Sequence, residues 1–413
     1  MRSRRMLASA LGVESAVVED FREDVALGTF VVRVRARRED RRRCPVCRAR
    51  CPGYDGGDGL RHWRTHDIGL LRAVIEAEAP RVKCRTHGVL VSHVPWARHK
   101  SGFTRSFEDT IAWLAVRTDK TTLSFLQRIA WRTVGAIVER VCDSAREAKS
   151  PLVGVTRIGI DEVSYRKGHR YLTCVVDHDT GRLIWAHPGR DEKTLRKFFR
   201  LLSKEQRAAI TLVSADAASW IANVVHEQCP NASLCIDPFH VVAWATKALD
   251  EVRRGLWNEL RARGQTERAQ SMKGSRWALV KNPEDLTRKQ KGKLRAIEQD
   301  NQRLFRAYLM KEQLRDIFKT KGWLATVMLD EWLGWVGHSK IEPMKKVARA
   351  IRHHQVGIDA ALVYGLSNAR LESSNTKLRL LTRLAFGFHS HAPLIALAML
   401  KLGGLCPPLP RAN

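Results

Sequence analysis

The chain has 413 residues, of which 44% are hydrophobic and 28% are charged, so it can bury folded cores and general disorder is excluded. This length predicts two to three domains. Lysine and arginine outnumber aspartate and glutamate by 72 to 43, and the net charge of +29 indicates a polyanionic partner. The apolar run Ala392 to Leu400 is far too short for a membrane span. With 9 cysteines and no secretory signal, we expect a cytoplasmic protein with thiols or a metal site.

Two pairs of potential metal ligands lie in the N-terminal third, and strand-like alternation occurs before and between them. Both pairs have members three residues apart, a spacing at which two ligands on a tight turn reach one tetrahedral zinc ion. The predicted ligands are Cys44, Cys47, Cys84 and His87. We therefore predict a structural zinc ribbon, with unrelated surface thiols as the alternative. Spare ligand candidates are Cys51, His62 and His66.

A helical pattern follows in residues 103–150, and part of it fits a helix-turn-helix. The first helix is expected to begin after an N-cap at Thr121 or Thr122 and to end near Ile129. The predicted packed face of the second helix comprises Val134, Ile137, Val138 and Val141. Candidate DNA-contacting residues here are Arg128, Arg132, Thr133 and Arg140, the last three pointing outward on the second helix.

After Pro151 the pattern is typical of a mixed sheet with helices. The predicted order is three strands, a helix, a strand, a helix and a strand, which is the order of a ribonuclease H-like fold. The predicted ranges are strands 152–161, 171–177 and 182–188, helix 191–210, strand 211–216, helix 218–228 and strand 232–237.

Two aspartates occupy matching places in this predicted sheet. Asp161 lies on the first strand, and Asp216 ends the fourth, which lies beside the first in such a fold. Carboxylates at one edge of adjacent strands repel unless cations lie between them, and a pair of Mg²⁺ ions serves phosphodiester cleavage. For Asp216 alone, capping of the next helix is the alternative. Nearby acids expected to be non-catalytic are Glu162, Asp177 and Asp179.

Glu372 is the candidate third acid, but it lies too far along the chain for an uninterrupted domain of this kind. Residues 241–365 look helical throughout, so an all-helical insertion is predicted to return Glu372 to the two aspartates. Most tryptophans of the insertion are expected in its core, with one or two stacking on unpaired bases. They are Trp244, Trp257, Trp277, Trp323, Trp332 and Trp335.

The segments IGIDEVSYRKGHRYLTCVVDHDTGRLIW, VSADAASW, CIDPFHVV and ARLESSNTKLRLLTRLAFGFHSH resemble the ISL3 family of bacterial insertion-sequence transposases. The resemblance covers nearly the whole chain and implies cleavage of DNA at element ends, then joining of 3′-hydroxyls to target DNA. It implies a catalytic triad of Asp161, Asp216 and Glu372 that holds two Mg²⁺ or Mn²⁺ ions. It further implies accessory roles for Asp237 and His240. Further candidate DNA contacts in the last segment are Asn375 and Lys377.

The expected architecture is multidomain, α+β and α/β. Its predicted parts are a zinc ribbon (1–100), a helix-turn-helix (101–150), a ribonuclease H-like core (151–240), an all-helical insertion (241–365) and the final core helices (366–413). The expected partners are double-stranded DNA, as element ends and target, and further copies of the chain. Two alternatives remain open, namely a non-catalytic DNA-binding regulator and a structure-selective nuclease.

Overall fold

The computed structural model describes residues 2–13, 15–26, 28–166, 168–385, 387–388 and 390–410. The chain forms two compact units, residues 1–151 with 380–413, and residues 152–379. Within the described ranges, no helix combines the length and apolar character needed to cross a membrane.

The N-terminal part of the first unit contains two small sheets. In the four-stranded sheet the order is β1-β2-β5-β4, and only β2 and β5 are parallel. The three-stranded sheet has the order β3-β6-β7 and is antiparallel. The elements are α1 (Arg2–Ala10), β1 (Ala16–Asp24), β2 (Thr29–Ala36), β3 (Gly53–Asp55), β4 (Leu60–Arg64), β5 (Arg72–Glu78), β6 (Arg81–Cys84) and β7 (Gly88–Val91).

Three helices follow, α2 (Arg105–Ala115), α3 (Lys120–Leu126) and α4 (Trp131–Ala148). The cap of α3 is Asp119, whose side chain accepts a hydrogen bond from the backbone of Thr122, so the expected cap at Thr121 or Thr122 is corrected. The helix also ends three residues before the expected Ile129. The predicted packed face of α4 is confirmed, since all four of its residues are buried.

The second unit is built on a five-stranded sheet of order β10-β9-β8-β11-β12. β8, β9 and β10 are antiparallel, whereas β11 runs parallel to both β8 and β12. The elements are β8 (Arg157–Arg166), β9 (Arg170–Asp177), β10 (Leu183–Pro188), α5 (Glu192–Phe199), α6 (Lys204–Ala209), β11 (Leu212–Ala215), α7 (Ser219–Gln228) and β12 (Ser233–Ile236).

Two details differ from the sequence prediction. The first strand of this sheet begins at Arg157 rather than at residue 152 and extends to Arg166, so Asp161 lies inside it. The single helix expected over 191–210 is two helices, because Ser203 forms a capping box with Gln206 and starts α6 anew.

A run of helices separates β12 from the last part of this unit. Trp332 is buried in their shared core and donates its indole N–H to the carbonyl of Met310 at 2.8 Å. Trp244, Trp257 and Trp335 are partly buried against that core, whereas Trp277 and Trp323 are 55% and 74% exposed. The helices are α8 (Pro238–Ala262), α9 (Thr266–Gly274), α10 (Arg276–Val280), α11 (Arg288–Asp300), α12 (Gln302–Ile317), α13 (Trp323–Gly337), α14 (Glu342–His353) and α15 (Gln355–Tyr364), with a 3₁₀ turn at Pro283–Asp285.

The last two helices are α16 (Ala369–Leu384) and α17 (His391–Leu402). The division between the units falls inside α16, and α17 packs against α4 in the first unit. This differs from the expected boundary, which kept 366–413 with the catalytic core. Six of the twelve residues of α17 are buried. Phe386 and His389, which belong to the segment resembling the family, lie outside the described residues.

Candidate active site and metal cluster

Three aspartates belong to three adjacent strands of the second unit, with Asp161 inside β8 and with Asp216 and Asp237 directly after β11 and β12. Continuing the parallel register of β8 with β11 two residues beyond its last pair brings Asp216 opposite Asp161. Continuing the register of β11 with β12 by one residue brings Asp237 opposite Asp216. A sheet whose neighbouring strands are parallel here therefore gathers three carboxyl groups at one edge.

Asp161 is held by hydrogen bonds to both carboxylate oxygens. Its Oδ1 accepts from the backbone N–H of Glu162 at 2.7 Å, and its Oδ2 accepts from Nδ2 of Asn375 on α16, also at 2.7 Å. Burial raises the pKa of this carboxyl group, and the negative charge of Asp216 raises it further. Asp216 itself accepts from the backbone N–H of Ala218 at 3.1 Å, so it also supports the start of α7.

Asp237 and His240 form a pair at the start of α8. Asp237 is 2% exposed, and its Oδ2 lies 3.0 Å from Nδ1 of His240. This hydrogen bond is the largest cause of a raised His240 pKa, and the charges of Asp216 and Asp161 add to it. The Asp237 carboxylate and its neighbouring acids therefore favour the protonated form of the His240 imidazole.

Glu372 lies in the first turn of α16, and its side chain is exposed. Its pKa is raised by partial burial and then by the charges of Asp237 and Asp161, so Glu372 shares their electrostatic surroundings. Among the described residues, however, these acids do not form a group of three whose donor atoms all lie within 4.8 Å of one another. The carboxylates are thus neighbours without forming one compact cage.

Contacts that the sequence prediction missed hold α16 against the sheet. Asn368 donates its backbone N–H to Oδ1 of Asp237 at 3.0 Å, and its side-chain oxygen accepts from Oγ of Ser214. A Cβ added to Gly159 would lie 2.2 Å from Cδ1 of Leu371. Any larger residue at this position would force the side chains of Leu371 and His178 to move. A glycine inside a strand often marks a place where another part of the chain packs closely, so Gly159 is the sequence signal for this contact.

The acids expected to be non-catalytic fall into two classes. Asp177 accepts hydrogen bonds within its own turn, and Asp179 pairs with Arg157. Glu162 differs, because its nearly buried side chain pairs with Arg190, and burial raises its pKa to about 7 with additional effects of Asp216 and Asp161. The charges of Asp161 and Asp216 therefore act on Glu162, although Glu162 is the next residue along β8 after Asp161.

The four predicted zinc ligands come together in the first unit. The donor atoms of Cys44, Cys47, Cys84 and His87 all lie within 4.8 Å of one another. Sγ of Cys44 and Sγ of Cys84 each lie 3.6 Å from Nδ1 of His87, and Sγ of Cys47 lies 3.7 Å from Sγ of Cys84. Three thiols and one imidazole form a tetrahedral zinc donor set.

Two of the spare ligand candidates point elsewhere. His62 pairs with Glu76, and Nε2 of His66 lies 3.1 Å from Oγ of Ser106. Cys51, the third, is buried beside the cluster.

The candidate DNA-contacting residues have different surroundings. Arg132 is exposed on the first turn of α4, Thr133 is half-buried and Lys377 is exposed on α16. Arg128 lies in the turn between α3 and α4 and pairs with Asp67. The expected outward orientation of Arg140 is corrected, because its guanidinium pairs with the buried Glu108. Asn375, the other candidate contact on α16, is buried and donates a hydrogen bond to Asp161.

Three family models match the chain. The ISL3 model of the DDE type, described as "Transposase", matches residues 158–398. A model described as the helix-turn-helix domain of transposase family ISL3 matches residues 92–142. A model described as the zinc-finger of transposase IS204/IS1001/IS1096/IS1165 matches residues 40–87, a range that includes all four clustered ligands.

Curated relatives agree with these matches. The transposase for insertion sequence element IS1557 of Mycobacterium tuberculosis, from each of two strains, is 51% identical over 434 residues, covering 99% of this chain and 98% of the relative. The transposase for insertion sequence element IS1001 of Bordetella parapertussis is 26% identical over 350 residues, covering 84% of this chain and 85% of the relative.

Proposed function

The chain belongs to the ISL3 family of transposases, and from this premise we propose that it binds the ends of its insertion sequence, cleaves a phosphodiester bond there and joins the 3′-hydroxyls to target DNA. The observation that carries this proposal is the parallel register of β8 and β11, which when continued brings Asp216 opposite Asp161. It is supported by the hydrogen bond that Asn375, one turn after Glu372 on α16, donates to Asp161.

We propose a ribonuclease H-like catalytic core for this reaction. The support is a sheet in which the first three strands are antiparallel and the fourth and fifth are parallel to the first. The helices from α8 to α15 then form an insertion between β12 and α16. The chain beyond the insertion is attached to the edge of the sheet by two hydrogen bonds. Asn368 donates to Asp237, and Asn375 donates to Asp161.

Asp161, Asp216 and Glu372 are the proposed ligands of Mg²⁺ or Mn²⁺. Carboxylate oxygens suit these hard cations, and the raised pKa of Asp161 and of Glu372, caused by burial and by neighbouring negative charge, marks a site that a cation stabilises. Mg²⁺ is commonly held by one or two carboxylates, with water and phosphate oxygens as its other ligands, which suits acids that form no compact cage. When bound, two such ions activate the attacking oxygen and stabilise charge on the phosphate and leaving group.

The chain's own residues orient this site. Asn375 fixes Oδ2 of Asp161, which leaves the carboxylate in one orientation. Asp237 holds Nδ1 of His240 and raises the pKa of that imidazole, which favours its protonated, positively charged form beside the acids. The charge of His240 offsets part of the repulsion that a DNA phosphate would otherwise meet there.

DNA recognition is proposed for the zinc-ribbon and helix-turn-helix regions, with Arg132 and Thr133 at the start of α4 as candidate contacts. Lys377, exposed on α16, is a proposed phosphate contact. Two element ends must be held together for joining, so we expect a dimer or a larger assembly of this chain acting on DNA in the bacterial cytoplasm.

An assay with the full-length protein, Mg²⁺, DNA carrying both element ends and a target plasmid tests this function. We expect cleaved ends and joined products, and no reaction without the metal. End binding without cleavage would instead support the regulator, and cutting of branched DNA without joining would support the nuclease. Either result would contradict the proposal.

A further inference from the structure

A fourth thiol, that of Cys51, lies beside the three thiols and one imidazole of the zinc ligand cluster. Cys51 is buried and packs with Cys44 and Cys84 around Val82. It is not a member of the group whose donor atoms lie within 4.8 Å of one another. Its thiol donates a hydrogen bond to the carbonyl of Ala49, with 3.4 Å between sulfur and oxygen. A change of side-chain rotamer at Cys51 would therefore exchange one weak thiol hydrogen bond for coordination of the metal.

One side of Cys51 is fixed by the hairpin that carries the first ligand pair. The N–H of Cys44 donates to the carbonyl of Ala49 at 2.9 Å, and the N–H of Cys51 donates to the carbonyl of Arg42 at 2.8 Å. Arg43 and Arg50 form an antiparallel bridge between these bonds. The hairpin thus keeps Cys51 across from the residues that lead into Cys44.

The other side of Cys51 is fixed by the strand that carries the second ligand pair. β3 and β6 are antiparallel, with Gly53 opposite Val82, and continuing this register by two residues brings Cys51 opposite Cys84. The N–H of Lys83 donates to the carbonyl of Pro52 at 3.1 Å, which agrees with that register. Directly opposed residues have Cβ atoms about 4.5–5.5 Å apart, so the thiol lies within reach of the metal position.

The three ligand thiols differ in their exposure to solvent, and one of them is more accessible than Cys51. Cys47 is exposed, whereas Cys44, Cys84 and Cys51 are buried. We propose that Cys51 is a reserve zinc ligand, which replaces Cys47 when the exposed thiol is lost. The site would then retain three thiolates and His87, so its charge and donor chemistry stay unchanged.

The test uses the full-length protein and four variants, Cys47→Ser, Cys51→Ser, Cys47→Ser/Cys51→Ser and Cys47→Ser/Cys142→Ser. Cys142 is a buried thiol on α4 and serves as the matched control. Zinc per chain is measured after dialysis against a weak chelator. Co²⁺-substituted protein then reports the number of thiolates through the intensity of its sulfur-to-metal absorption band.

We expect about one zinc per chain in wild type, Cys47→Ser, Cys51→Ser and the Cys142 control, with the same Co²⁺ band intensity in all four. Cys47→Ser/Cys51→Ser should lose the zinc, or bind Co²⁺ with about a third less band intensity. The band intensity decides the matter even if metal binding survives in every variant. Three results would each overturn the proposal. They are a wild-type protein without zinc, loss of zinc in Cys47→Ser, and a Co²⁺ band in Cys47→Ser that is already reduced by a third.

Discussion

The zinc cluster of the first unit and the carboxylate site of the second are assembled in different ways. The zinc ligands come as two pairs with three-residue spacing, each pair on its own tight turn, and small antiparallel sheets bring the turns together. The carboxylates come singly, from β8, β11, β12 and α16, and a helical region of more than a hundred residues lies between the last two. Local spacing defines the first site, whereas strand register and helix docking define the second.

The largest effect is expected at the second site. Asp161→Asn, Asp216→Asn and Glu372→Gln should each reduce cleavage and joining together by roughly a thousandfold or more, since each removes a proposed metal ligand worth several kcal/mol of transition-state stabilisation. Binding to end DNA should persist in all three, because the change removes a negative charge near a polyanion. Cleavage, joining and gel-shift assays measure the three outcomes.

The control for these variants is Glu298→Gln, an exposed acid on α11, which should retain wild-type activity. Glu162→Gln is a less neutral comparison, because its side chain pairs with Arg190 and is electrostatically linked to Asp161 and Asp216. Near wild-type cleavage by Glu372→Gln would show that the triad is misassigned.

Loss of one ligand pair should break the first site and leave the second folded. We expect Cys84→Ser/His87→Ala to lose its zinc and to unfold residues 40–91, because metal binding and folding of a small zinc domain are one equilibrium. Zinc analysis and limited proteolysis check this. His62→Ala, whose side chain pairs with Glu76 away from the cluster, should keep the metal. Retention of zinc by the double variant would refute the ligand assignment.

A smaller effect is expected where α16 meets the sheet. Gly159→Ala places a methyl group 2.2 Å from Cδ1 of Leu371, so it should destabilise the protein by about 1–3 kcal/mol and lower cleavage by moving α16. Gly255→Ala on α8 is the matched control, since its Cβ meets nothing within 4 Å and should stabilise that helix by about 0.5–1 kcal/mol. Thermal unfolding and cleavage rates are the measurements. Equal cleavage activity in Gly159→Ala and Gly255→Ala would show that cleavage does not require close packing of α16 on β8.

The smallest effect is expected at the start of α4. Arg132→Ala should weaken binding to end DNA by about 1–3 kcal/mol if its side chain reads a base, with less effect on random DNA. Arg140→Ala should instead lower protein stability, because its guanidinium pairs with the buried Glu108. Salt-dependent binding and thermal unfolding separate these roles. An equal loss on both DNAs would make Arg132 a phosphate contact.

Much of both sites could be predicted from the amino-acid sequence. The three-residue spacing of the zinc pairs is local, so Cys44, Cys47, Cys84 and His87 were identified together and are found together. Strand order predicts Asp161 and Asp216, because parallel neighbours end at one edge of a sheet, whereas Asp237 is implied only by the family resemblance. The capping box at Ser203 is also local, but the sequence prediction places one continuous helix there.

Only the tertiary structure decided what surrounds those residues. Asn375 reads as a polar residue on an exposed helix, yet docking of α16 buries it against Asp161. The helical spacing on α4 predicts that Arg140 points outward, but its guanidinium pairs with the buried carboxylate of Glu108. The packing of α17 against α4 likewise joins distant parts of the chain, and the sequence pattern does not show it. Periodicity and spacing record contacts within an element or a turn, whereas these outcomes depend on which surfaces meet after the chain has folded.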